Sequence, residues 1–246
     1  MSYVLERFGF ADMMECRRRI RSLFDDDPAT FEEAARRTVR FFYDEMIDED
    51  GARACALIRI FKTHLFRELD SELQQFARSI APEADSIPDL RCLTLVATAG
   101  QEPGWNSRHA SRGHKAIPLT SVEFIEKAPM IAQLIKQIGV TVNMVMRPDR
   151  ALLLDQSDAT YNVFHVPEAA GSPHIVGQKE FVEPYRIASV VGFGGLFTTG
   201  DLFATILFSK VPISAEVADM LRVVGLNLRV AILPHSRKPL FASPAG

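Results

Sequence analysis

Apolar residues recur along this chain with two periods, and the periods separate helices from strands. Phe31, Ala35, Val39, Phe42 and Met46 return at helical intervals, as do Val217, Met220, Leu221, Val224, Leu228 and Ile232. Each set forms one stripe that has to be buried. Polar signals bound these stripes. Thr30 followed by Glu33 reads as a capping box, Ser214 as a cap after Pro212, and Pro234 as a stop. Further helices are predicted from Ala11 to Phe24, where Met13, Met14, Ile20, Leu23 and Phe24 mix with arginines, and from Asp70 to Ile80, capped by Asp70. Another opens on Thr120 and Glu123 and runs to Ile138, with a kink before Pro129 and an end at Gly139. Strands are predicted over Ala52 to Phe61, Arg91 to Ala99 and Val140 to Met146. The strongest local signal is a hairpin: IASVVGFGG turns through Thr198-Thr199-Gly200-Asp201 into DLFATILFSK, with Gly200 supplying the positive φ of the turn.

This order of elements predicts an α+β fold: a mostly antiparallel sheet of five or six strands, helices packed on one face and loops over the other. A chain of 246 residues, 47% hydrophobic and 24% charged, can build a sizeable core. Charge narrows the partners. The net charge is −3, and Arg17, Arg18, Arg19 and Arg21 are answered by Asp25, Asp26 and Asp27, so a solvated helix face is expected and no nucleic-acid partner. Glu6 and Arg7 precede any apolar run, and Thr-Thr-Gly-Asp cuts the longest hydrophobic stretch well before bilayer length. Three widely spaced cysteines, Cys16, Cys55 and Cys92, suit a reducing compartment. A cytoplasmic protein with no membrane partner is expected.

The hairpin and final helix, and VVGFGGLFTTGDLFATILFSKVPI in particular, resemble the C-terminal half of a GAF domain. The likeness extends to MSYVLERFGF, RCLTLVATAG and YNVFHVPEAAGSPHI, and so covers most of the chain from Tyr3 to Pro234. It is closest to the N-terminal sensory region that precedes kinase or cyclase modules in bacterial signalling proteins, two-component systems among them. The resemblance implies a GAF-like sensor domain over residues 51–234, a helical extension over 1–50 and a tail or linker over 235–246. It also implies a homodimer formed through the terminal helices, and an output domain or a partner kinase or cyclase.

Catalytic motifs are lacking. There is no GxSxG, HExxH or P-loop, and Gly192 to Gly195 lacks the helix and lysine of a nucleotide loop, so its glycines read as a device for close packing. Some GAF proteins reduce free methionine sulfoxide with gathered cysteines, whereas here one cysteine falls on a helix and two on separate strands. No enzyme is expected. None of the six histidines has metal-ligand spacing, and no cofactor is assigned. Two irregular segments are better candidates. QEPGWNSRHASRGHKAI, from Gln101, carries the only tryptophan, and a second region from Pro148 to Pro184 contains YNVFHVPEAAGSPHI. If both fold over the sheet, Trp105, Arg108, Arg112 and His114 converge with Asn162, His165 and His174 on a ligand pocket, and Asn106, Tyr161 and Ser172 lie beside them. Arg108 and Arg112 suit a carboxylate or phosphate. The expected function is a non-catalytic small-molecule sensor relaying through its terminal helices. The alternatives are a ligand-free structural dimerisation module, whose loops only shield the sheet, and a haem sensor.

Overall fold

The computed structural model describes residues 2–148 and 162–242. Its centre is a six-stranded antiparallel sheet of order β5-β4-β3-β8-β7-β6, formed by β3 (Cys55–Leu65), β4 (Arg91–Gly100), β5 (Ala116–Pro118), β6 (Phe164–Val166), β7 (Ser189–Leu196) and β8 (Leu202–Ser209). Two short parallel strands, β1 (Tyr3–Val4) and β2 (Met46–Ile47), pair separately. The expected α+β fold and strand number are found.

One face of the sheet is covered by α1 (Phe10–Ser22), α2 (Phe31–Glu45) and a long final helix, Ala215–Ile232. Both predicted apolar stripes are spent here: Phe31, Ala35, Val39 and Phe42 of α2, and Val217, Leu221, Val224, Leu228 and Ile232 of the final helix, pack with Ile58, Ile60, Phe193 and Phe203 of the sheet. Aromatic edges meet across the interface, with Phe42 and Phe193 rings 5.7 Å apart and Phe31 and Phe203 rings 6.4 Å apart. Thr30 accepts from the Glu33 amide as expected, and the Glu33 carboxylate reaches back one residue further, to the Ala29 amide. Asp70 caps α3 (Ser71–Ile80), which lies over β5. Met14, expected in the stripe of α1, is exposed instead, as is Phe10.

The second face departs from a cover made of loops alone. It carries α4 (Val122–Glu126), α5 (Pro129–Gln137) and α6 (Val142–Met146), with the final helix therefore α7, and the two irregular segments close the remainder. Ser121 rather than Thr120 caps α4, and Pro129 starts a new helix where a kink was expected. The strand expected over Val140 to Met146 is the short helix α6, because Thr141 accepts from the Met144 amide at 3.3 Å and β5 and β6 already fill both sheet edges.

The hairpin is as predicted, with Gly200 at φ 84° and Phe197 bonded to Asp201 across the turn. Gly194 is required for packing: a Cβ there would lie 1.9 Å from the Phe203 carbonyl oxygen of the partner strand. β3 runs four residues beyond its expected end because the sheet interior satisfies the charge of Lys62. The Lys62 ammonium lies 2.9 Å from one Asp201 oxygen, and Arg91 lies 2.7 Å from the other. Thr199 donates to the same carboxylate at 2.8 Å. Burial pushes the Asp201 carboxyl upward, but Lys62, Arg91 and Thr199 outweigh it and hold it below the ordinary range. Burial, Lys62 and Arg91 together push His64 down to about 3, leaving it neutral, so its Nε2 accepts from Lys62 at 3.3 Å.

Asp201→Asn leaves Lys62 and Arg91 without a counter-charge, and urea unfolding at pH 7 is expected to show a loss of about 3–5 kcal/mol. Because the folded carboxyl titrates below its unfolded value of about 3.9, this contribution is present above that value and fades as pH falls through the lower one. The gap between wild type and variant therefore narrows below about pH 4.

Candidate functional site

Described parts of the two irregular segments meet above β3 and β8 and line a half-open cavity of about 220 Å³. Its floor is Leu57, Arg59 and Phe61, successive outward-facing positions of β3, with Phe208 of β8. Trp105 and His114 enter from the first segment, Ile175, Val176, Gly177 and Phe181 from the second, and Met130 from α5.

Local interactions fix each wall. After β4 the chain makes a 3₁₀ turn, Pro103–Asn106, and the Asn106 side chain closes it by donating to the Gly100 carbonyl at 2.8 Å and accepting from the Gly100 amide at 3.2 Å. Thr98 donates to the Trp105 carbonyl at 2.9 Å. Trp105 lies so close over Gly100 that a Cβ on that glycine would be 2.9 Å from the Trp105 Cβ and Cε3. In the second segment Gly177, at φ 75°, opens a π-helical turn over Gln178–Val182. The Gln178 amide ties the segment together, donating to the carbonyls of Ile175 at 2.8 Å and Ala169 at 3.0 Å and accepting from Gly171 at 2.9 Å. Aromatic contacts join the segments: the Trp105 ring lies 4.5 Å from Tyr185 and 5.6 Å from Phe181, which stands edge-on to Phe208 at 5.0 Å.

Of the seven expected site residues, Trp105 and His114 line this cavity. The others do not. Arg108 is buried elsewhere, bonded to Glu32 at 2.8 Å with its guanidinium 3.5 Å from the Phe241 ring. That ring belongs to a C-terminal segment docked on α2, where Pro239 and Leu240 carbonyls accept from the Phe31 and Glu32 amides. Arg112 and Asn162 are exposed, and the Asn162 side chain is used by the Val163 amide. His165 alternates with Phe164 and Val166 on β6 and so faces the helical layer, its Nε2 2.9 Å from the Ile213 carbonyl oxygen. His174 precedes the lining residue Ile175 but turns its amide to the Ser172 hydroxyl. Tyr161 lies outside the described residues.

The cation of the site is Arg59. Its Nε–H is buried with no acceptor, its hydrogen bond from Nη2 to Ser111 Oγ is long at 3.4 Å, and among the described residues no carboxylate pairs with it. Burial lowers it to about 10, so it stays charged at neutral pH. His114 beside it is an exposed residue at the cavity mouth and sits at φ 62°, a left-handed conformation rare outside glycine. Burial and the nearby Arg59 charge both push its imidazole down, towards the neutral form. The signal for Arg59 was present in CALIRIFKTH, where one arginine interrupts a strand apolar on both faces. The cysteines stand apart from this site: Cys16, Cys55 and Cys92 are buried on α1, β3 and β4, and desolvation raises each thiol to about 12. Among the described residues no three metal-ligating side chains cluster, and no helix is long and apolar enough to cross a membrane.

No protein-family model matches the chain, and no curated protein matches it. Among solved structures it is similar to the GAF domain of a phosphoenolpyruvate-protein phosphotransferase from Coxiella burnetii, at 10% identity over 92% of this chain and 95% of that one, with a TM-score of 0.49. It is also similar to the GAF domain of the Acinetobacter phosphoenolpyruvate-protein phosphotransferase (14% identity, 89% and 92% covered, TM-score 0.41). A third match is the phycocyanobilin-bound GAF domain of a cyanobacterial phytochrome (12%, 91% and 94%, 0.41). Each of the three is a GAF domain.

An unmatched cation in an apolar wall lowers stability, so Arg59→Met is expected to leave the unfolding free energy unchanged or raise it by about 1 kcal/mol. His114→Gly relieves the left-handed backbone and is expected to raise it by about 1 kcal/mol as well. Urea titration of both variants checks these signs.

Proposed function

We propose that this chain is a non-catalytic sensory domain of the GAF type that takes up a small organic anion in the cavity between its two irregular segments. Its occupancy is relayed through α1, α7 and the docked C-terminal segment to an output module or a partner kinase or cyclase. The observation that carries this reading is Arg59. A charged group kept without a counter-charge among aromatic side chains weakens the fold, and such expenditure is typical of a site shaped for something other than stability. A ligand carboxylate would supply the missing counter-charge.

The rest of the site supports binding rather than chemistry. Among the described residues its polar side-chain groups are one guanidinium, one imidazole and the indole N–H of Trp105, and the walls are otherwise apolar, the usual composition of a small-ligand site. Binding acts on the output only through different affinities for two arrangements of the relaying elements. The exposed apolar side chains of Phe10 and Met14 on α1 and Val230 on α7 support pairing of two copies through these helices.

Native mass spectrometry of protein purified from its own host tests the proposal. The expected result is a retained compound of small mass that is lost from Met130→Trp, whose larger side chain fills the cavity while the fold keeps its melting temperature. A ligand-free wild type, with Met130→Trp more stable, would return the chain to a structural dimerisation module.

A further inference from the structure

The walls of the cavity specify its occupant more narrowly than its existence does. The volume of about 220 Å³ exceeds the roughly 150 Å³ in which a buried cavity holds benzene, and falls short of the roughly 300 Å³ at which pockets for drug-sized ligands begin. The space therefore suits one ring, or a fused pair, with a short substituent. Trp105, Phe181 and Phe208 line it with aromatic rings, and Met130 adds a thioether, which makes favourable contacts with aromatic rings.

The charge of the occupant is limited by the same inventory. Among the described residues Arg59 is the only cation lining the space, and no carboxylate answers it. A guanidinium donates N–H bonds to a carboxylate, so a single carboxylate supplies the counter-charge that Arg59 lacks. A dianion such as a phosphate monoester would bring a second charge that no other cation of the cavity answers, and leaving it buried costs several kcal/mol in a medium of this kind.

We propose that the cavity recognises a small aromatic monocarboxylate, its carboxylate paired with Arg59 and its ring held against Trp105 and Phe181. The proposal rests on the sensory reading above and narrows it to one ligand class. His114 stands at the mouth, where its neutral imidazole can add one hydrogen bond without adding a charge.

Trp105 is the only tryptophan of the chain, so intrinsic fluorescence reports directly on the cavity. The full chain is titrated with benzoate and indole-3-carboxylate, and with benzyl alcohol, acetate and inorganic phosphate as controls, following Trp105 emission and the melting temperature. Both aromatic carboxylates are expected to shift the emission and raise the melting temperature, with benzyl alcohol and acetate at least about tenfold weaker and phosphate without effect. Arg59→Gln should erase the difference between benzoate and benzyl alcohol, and Arg59→Lys should restore part of it. Equal binding of benzyl alcohol, binding of phosphate, or carboxylate preference surviving in Arg59→Gln overturns the ligand class. If no probe binds but native mass spectrometry finds a retained compound of other chemistry, the ligand class falls and the sensory reading stands. If no probe binds and nothing is retained, both fall.

Discussion

A sheet covered on both faces cannot leave a charge unanswered without cost, and β3 carries two cations into it on opposite sides. Lys62 faces the helical layer and is met by Asp201, which also receives Arg91 and so ties the hairpin turn to the two neighbouring strands. Arg59, three residues earlier, faces the other way among aromatic side chains and has no such partner. The same strand thus contains a completed electrostatic contact and an open one. The first holds the sheet together; the second is the feature on which the proposed binding rests.

The two faces are built by different means. On the helical side, long stripes on α2 and α7 pack against aromatic and branched side chains without interruption. On the other side, short helices leave a gap that two irregular segments cover, each organised by a single amide side chain, Asn106 in one and Gln178 in the other. Their meeting point is aromatic, so the roof is joined by ring contacts and not by a continuous hydrogen-bonded ladder. Such a roof can open with the loss of few backbone bonds.

Much of this was legible in the chain. Stripes, caps and the Gly200 turn gave the helical layer and hairpin because periodicity and turn chemistry are local properties. The segments that form the pocket could also be named, since composition marks them. The contacts inside them could not. Arg108 looked like a ligand donor, yet its guanidinium is taken by Glu32 and Phe241, which are far away in sequence. His165 was placed by strand alternation on the helical side, a fact settled by pairing register and invisible from loop composition. Val140 to Met146 reads as a strand until the edges of the sheet are known to be filled. Arg59 was the residue overlooked, because a charge within an apolar run draws attention only when both faces of the strand are known to be buried.

Gly100 carries an implication for how this protein can change. The indole rests where any larger residue would put its first side-chain carbon, so the ring keeps its place only while that atom is missing. One methyl group, the smallest alteration the genetic code allows at a glycine, would press on the ring that faces the void and on the Ala56 carbonyl oxygen of β3. The wall of the void thus tolerates less change at this position than its exposed rim does, because a backbone atom and a ring already occupy the space a side chain would need.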